Sequence, residues 1–256
     1  MQSEALTLTC PRPFPMVEPG DDLAALLIES LQHANIVLRD KDVLVLAQKI
    51  VSKAEGRYVS LNTVNPSARA LELGAAIDKD PRMVELILSE SKEIVKHRNG
   101  VLIVEHRLGF VMANAGIDQS NIDHPAGDER ALLLPLDPDA SCTRLKQRLD
   151  EFFDADIGIV INDSFGRPWR QGVTGVALGA AGLPSLLSLI GEPDLFGRPM
   201  RVSEIAVADE IAAAASLVMG QTDAAKPVVH IRGLQWDAAA RPAADLLRPK
   251  QQDLFR

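Results

Sequence analysis

The spacing of apolar residues changes period several times along the chain, and each change predicts an element. LAALLIESLQHA repeats its apolar residues at helical spacing behind Gly20, Asp21 and Asp22, which predicts a helix capped by an aspartate. DVLVLAQKIVSKAEGR opens as a β-rich run over Val43 to Leu46. It passes at Gln48 into a polar-punctuated stretch that turns at Gly56, leaving Gln48, Lys49, Ser52 and Lys53 beyond a strand end. Pro66 to Ile77 and Asp80 to Val95 predict two helices, the second with Asp80 as N-cap and Pro81 at the first helical position. VLIVEHRLGFVMANAG predicts a hairpin: Val101 to Glu105, a turn near Leu108 and Gly109, then Phe110 to Ala113.

AGIDQSNIDHPAGDE is polar and turn-rich, a loop free of packing duty. A helix is expected from about Ala140, and IGIVI is the clearest buried strand, expected to end at Asn162, Asp163 and Ser164. The small residues of GVALGAAGLPSLLSL suit close packing against helices. RVSEIAVADEIAAAASLVMGQ predicts a strand running into an Ala-rich helix that ends at Gly220, and VVHIRG predicts a last strand. From Asp237 onward the Pro-, Ala- and Arg-rich tail is expected to lie on the surface or be poorly ordered. Strands and helices interleave without regular βαβ spacing or an internal repeat, which favours a mixed α+β fold over a doubly wound sheet.

Composition narrows the chemistry. With 256 residues the chain can bury a sizeable core without staples, and 46% hydrophobic with 24% charged residues is ordinary for a globular protein. A formal net charge of −8 argues against non-specific binding to nucleic acid. Cys10 and Cys142 stand far apart and in no metal or redox spacing, which fits reduced thiols and a cytoplasmic location. No window approaches a membrane span or a signal peptide. The histidines at 33, 97, 106, 124 and 230 show no zinc spacing. No GxxxxGK[ST] phosphate loop and no GxSxG elbow occurs, so any nucleotide needs another scaffold.

Two carboxylates follow apolar strands and precede hydrogen-bonding residues: Asp118 in NAGIDQSN and Asp163 in INDSFGR. Brought together, with Ser164 and Gln221 as added oxygen donors, they match what Mg²⁺ or Mn²⁺ requires; as isolated residues they equally suit turn or helix caps. Lys49 and Lys53 past one strand, and Arg167 and Arg170 past another, supply cations suited to phosphate or carboxylate, or simply a solvated face.

QKIVSKAEGR, DPRMVELILSES, VMANAGIDQSN, NDSFGRPWRQG and AVADEIAAAASLVMGQ, in this order, resemble the coenzyme F420-0:L-glutamate ligases, the gamma-glutamyl ligases of F420 biosynthesis, over Phe14 to about Gly233. The resemblance implies a two-part mixed α/β fold in an intertwined homodimer, with a ligase domain over 1–236 and a tail over 237–256. It further implies a GTP-dependent enzyme that uses Mg²⁺ or Mn²⁺, is helped by K⁺, and adds L-glutamate to the lactyl carboxylate of F420-0 and then again through a γ-linkage. By similarity Asp118 and Asp163 hold one divalent ion, and Ser164 with Gln221 contribute to a second. The nucleotide is contacted by Phe14, Pro15, Met16 and Val17, by Gln48, Lys49 and Lys53, by Asn121, and by Met219, Gly220, Gln221, Thr222, Asp223, Ala224, Ala225 and Lys226. Charge and placement add Arg167 and Arg170 as candidate catalytic groups. The competing expectation is a metal-dependent phosphohydrolase or phosphotransferase built on the same aspartates.

Overall fold

The computed structural model describes residues 5–253, so the first four residues of the expected domain and the last three of the tail lie outside the described residues. In chain order the elements are β1 (Thr7–Thr9), α1 (Leu23–His33), β2 (Val43–Ala47), α2 (Gln48–Ala54), β3 (Tyr58–Ser60), α3 (Ala68–Ile77), α4 (Pro81–Ser89), β4 (Ser91–Arg98), β5 (Val101–His106), β6 (Val111–Ala113), β7 (Arg130–Leu132), α5 (Pro138–Phe153), β8 (Gly158–Arg167), β9 (Arg170–Ala181), β10 (Leu187–Ser188), β11 (Glu204–Ile205), α6 (Val207–Met219) and β12 (Val228–Arg232). The fold is mixed α+β, as the irregular spacing predicts.

Its centre is a five-stranded sheet of order β1-β12-β2-β8-β9, in which β2 and β8 run parallel and the other pairs antiparallel. Strand alternation sorts the apolar residues onto two faces. Leu44, Leu46, Ile159 and Ile161 pack with α1 and α5, while Val43, Val45 and Val160 pack with α6. A separate core joins α3 and α4 to the three-stranded sheet β4-β5-β6 through Leu73, Ile77, Val84, Ile87, Leu102 and Val104. Among the described residues no helix is long and apolar enough to cross a membrane.

The caps fall where the sequence places them. Asp22 accepts from Ala25 N, and Asp80 from Arg82 N with Pro81 in the first turn. The predicted hairpin is β5–β6, its turn closed by the His106 N–H donating to Phe110 O at 2.8 Å.

Two boundaries need correction. The helix expected to run to Val95 stops at Ser89, because SKEIVKHR pairs antiparallel with β5 and tertiary ladder bonds outweigh local helix propensity. The strand expected to end at Asn162 continues to Arg167, held by pairing with β9 from Ile159↔Ala181 to Arg167↔Arg170. The glycine-rich stretch is therefore itself strand β9. Helices do press against it: a Cβ on Gly175 would strike α6 at Ala212 and Ser216, and one on Gly179 would strike Pro138 of α5.

The tail is surface-bound but anchored. Ala243 is fully buried, and Asp139 accepts from the backbone N–H groups of Ala180, Ala243 and Ala244 at 2.8, 2.8 and 3.1 Å. Lys250 donates to both carboxylate oxygens of Glu93 on β4, at 2.7 and 2.8 Å.

Candidate active site

A cleft of about 620 Å³ opens where β2 and its parallel pairing with β8 end, at Ala47 and Asn162, between the C-terminus of α6 and the loop that follows β6. Ligands favour this end of parallel strands because the chain there leaves the core and exposes polar side chains and backbone groups. Phe14 to Val17, Gln48, Lys49, Lys53, Asn121, Asp163, Ser164 and the whole segment Met219 to Lys226 line it. Residues more than 200 positions apart thus share one wall system. Asn121 bridges two of these segments, its Nδ2 donating to Thr222 O at 3.1 Å, and Arg12 Nη2 donates to Ala224 O at 3.0 Å.

The two aspartates singled out in the sequence converge. Lys49 Nζ forms an ion pair with Asp118 Oδ2, and Ser120 Oγ donates to the other Asp118 oxygen at 2.9 Å. Burial pushes the Asp163 carboxyl up to about 6, with the Asp118 charge adding to the rise; the Ser164 N–H and the Lys49 ammonium pull the other way. Neither aspartate caps a helix: Asp163 lies within β8, and Asp118 forms an isolated antiparallel bridge with Leu132. Ser164 and Gln221 also meet, with Ser164 Oγ donating to Gln221 Oε1 at 3.1 Å.

One ammonium stands near two carboxylates, so the pair carries a net negative charge beyond the burial that chiefly raises Asp163. The donors here are carboxylate, hydroxyl and amide oxygens, the hard set that suits Mg²⁺ or Mn²⁺. No cluster of three or more His, Cys, Asp or Glu exists among the described residues, so an ion here needs neutral protein oxygens or ligand oxygens to complete its shell. Lys53 is buried on the same wall. Burial lowers its pKa and neighbouring Lys49 lowers it further, against the raising influence of Glu18 and Asp123. A buried ammonium with no hydrogen-bond acceptor among the described residues is suited to an incoming anion.

Arg167 and Arg170 fare differently. They face each other at the exposed tip of the β8–β9 hairpin and are not among the residues that line the cleft. The reason is the extra length of β8, which carries them past the strand end where the cleft begins.

Sequence reasoning missed Asn162, Asp123, Ile122 and Ser216, all of which line the cleft. Asn162 had a visible signal, a polar residue directly before Asp163 at the end of an apolar run; Ser216, inside an Ala-rich helix, had none. Strand alternation turns Asn162 and Ser164 toward α6 and its following loop, and Asp163 toward Lys49 and Asp118.

Known proteins match most of the chain. The family model described as F420-0:Gamma-glutamyl ligase matches residues 13–233. The chain is 46% identical over 248 residues to the coenzyme F420:L-glutamate ligase of Methanothermobacter thermautotrophicus, covering 95% of this chain and 96% of that protein. It is 44% identical over 244 residues to the protein of the same name from Methanopyrus kandleri, covering 94% and 93%. With that from Archaeoglobus fulgidus it shares 40% identity over 244 residues, covering 95% and 93%.

Proposed function

This chain belongs to the F420-0:gamma-glutamyl ligase family, and from that premise we propose that it is a GTP-dependent ligase adding L-glutamate to the lactyl carboxylate of coenzyme F420-0, and then again through a γ-linkage. The observation that carries this reading is that Asp163, Lys49 and Lys53, from separate segments, line one cleft, and that Lys49 ties Asp118, itself outside the lining, to its edge.

The chemistry must bring anions together. Two unit charges 4 Å apart repel by about 4 kcal/mol at an effective dielectric of 20. An oxygen of the F420-0 carboxylate bonds to the γ-phosphorus of GTP while the bond from that phosphorus to the bridging oxygen breaks, releasing GDP and leaving an acyl phosphate. The glutamate nitrogen then bonds to the acyl carbon, inorganic phosphate departs with the electron pair of the C–O bond, and the nitrogen loses its proton to give the amide. The protein's part is to position these groups and neutralise charge. Lys49 and Lys53 take phosphate oxygens. Asp118 and Asp163 would hold one divalent ion, and Ser164 with Gln221 a second; bound Mg²⁺ or Mn²⁺ supplies charge neutralisation of the triphosphate. Phe14 to Val17, Gln48, Asn121 and Met219 to Lys226 enclose the nucleotide.

Arg167 and Arg170, outside the cleft wall, serve the substrate side, holding an F420-0 phosphate or carboxylate. The working unit is a homodimer of ligase domains spanning 1–236, each followed by the tail 237–256, active in the cytoplasm and helped by K⁺. Support for the dimer comes from Leu195, Phe196 and Val202, which are 85–100% exposed on one extended segment.

Incubation with F420-0, glutamate, GTP and Mn²⁺, followed by mass spectrometry, should show added glutamyl units. Sustained GDP release over many turnovers that needs both F420-0 and glutamate separates this ligase from a phosphohydrolase on the same aspartates; sustained GTP breakdown in the absence of both would overturn it.

A further inference from the structure

Asn162 is 5% exposed, and its amide is locked. Its Nδ2 donates to Ser216 Oγ at 3.0 Å and lies 3.4 Å from Met219 Sδ. Ser216 spends its own hydroxyl hydrogen on Ala212 O at 3.0 Å, so toward Asn162 it can only accept. The amide cannot turn over without losing that bond, and the remaining oxygen, Asn162 Oδ1, is buried with no partner. A buried acceptor left unmade is a standing cost unless a ligand brings a donor. Gln48, 2% exposed, shows the reverse: its Oε1 takes the Ser52 hydroxyl at 2.9 Å, and its Nε2 is buried without an acceptor. One spare acceptor, within β8, and one spare donor, at the start of α2, therefore stand where Asn162 is in register with Ala47, the last residue of β2.

We propose that Asn162 selects the nucleobase, its amide oxygen accepting from an N–H on the edge of a guanine-type purine. The proposal rests on the nucleotide reading above. Two features assign an N–H-bearing ring, rather than phosphate, to Asn162. Its free atom is an acceptor oxygen, which repels phosphate oxygens and takes an N–H. Met219 beside Asn162 gives an apolar, polarisable wall for a ring face. Guanine carries ring and exocyclic N–H donors beside a carbonyl acceptor, matching the spare pair. Adenine offers a ring acceptor where guanine has its N–H, which would set acceptor against acceptor.

The test is nucleotide binding without chemistry: GDP, IDP and ADP titrated onto the full chain, with Mg²⁺ and again with EDTA, for the parent protein, Asn162→Ala and Ser216→Ala. The parent should prefer GDP to ADP. Asn162→Ala should weaken GDP by about tenfold or more, the worth of one buried hydrogen bond, and leave ADP unchanged with or without metal. Ser216→Ala keeps Asn162 but frees its amide, so the GDP-to-ADP ratio should narrow; this variant carries the test if Asn162→Ala does not fold. Equal losses for GDP and ADP, or a loss that vanishes in EDTA because Asn162 serves a cation, would overturn the assignment while leaving the nucleotide reading intact. A parent protein that binds none of the three overturns both.

Discussion

Lys49 holds Asp118 in an ion pair at the edge of the cleft, and its ammonium also lowers the pKa of Asp163 on the neighbouring strand. One cation thus restrains two anions. Replacing Lys49 with Met should move the Asp163 midpoint upward from about 6, because the Asp118 charge then acts unopposed. Carboxyl-carbon NMR of labelled aspartate reads this directly; a midpoint that stays or falls would show that Lys49 and Asp163 are not coupled. Activity should drop by at least a hundredfold in the same variant.

The raised Asp163 pKa also fixes a pH dependence. An unfolded aspartate loses its proton near pH 3.9, whereas folded Asp163 keeps it to about 6. Between those values the folded state binds more protons, so this group's contribution to stability falls as pH rises from about 4 to 6. Asp163→Asn should therefore raise the melting temperature at pH 7 and change it little at pH 4. Mg²⁺ or Mn²⁺ should raise the melting temperature of the parent at pH 7 by binding the ionised form, and that shift should be lost in Asp163→Asn. A parent protein indifferent to both ions would remove the cation from this site.

The central sheet and most helices were legible because burial on both faces leaves unbroken apolar runs such as Val43 to Leu46 and Ile157 to Ile161, and because caps such as Asp22 and Asp80 are local chemistry. What escaped was long-range pairing. SKEIVKHR carries no signal of its own that β5 waits for it, and Asp163 and Ser164 read as a strand end because polar residues near a cleft break the apolar pattern while ladder bonds continue. The same error put Arg167 and Arg170 beside the aspartates, although nine residues pair along β8 before the hairpin turns. The meeting of Asp118 with Lys49 is set by the path of the loop after β6, which spacing cannot reveal.

Away from the cleft, Asp42 is the most enclosed acid of the central sheet, 2% exposed. Burial works to raise its pKa, yet two bonds from Arg232 at 2.9 and 2.6 Å, His230 Nε2 at 2.9 Å and the Arg39 N–H at 3.0 Å hold the carboxyl well below the usual range. Removing the acid leaves the half-buried Arg232 and the buried His230 without their shared acceptor. Asp42→Ala should cost about 1–3 kcal/mol in urea unfolding, with nucleotide affinity of the folded fraction unchanged. Because the folded pKa is depressed, the parent's advantage over this variant should shrink as pH falls below 4.

The hairpin arginines give the sharpest division between nucleotide and substrate. Lys53 sits on the cleft wall, so Lys53→Ala should weaken GDP binding in the absence of any other substrate, by about tenfold for one charge-assisted contact. Arg167→Ala leaves that wall untouched and, lying at an exposed turn, should not alter the melting temperature. If Arg167 holds an anionic group of F420-0, the variant should raise KM for F420-0 at least several-fold, with GDP affinity and KM for GTP unchanged. A fall in kcat with both KM values intact would instead place Arg167 at the reacting phosphoryl group, reached by a movement of the hairpin or from a neighbouring subunit. Full activity would remove it from the reaction and leave the exposed tip, with Trp169 beside it, as a packing surface.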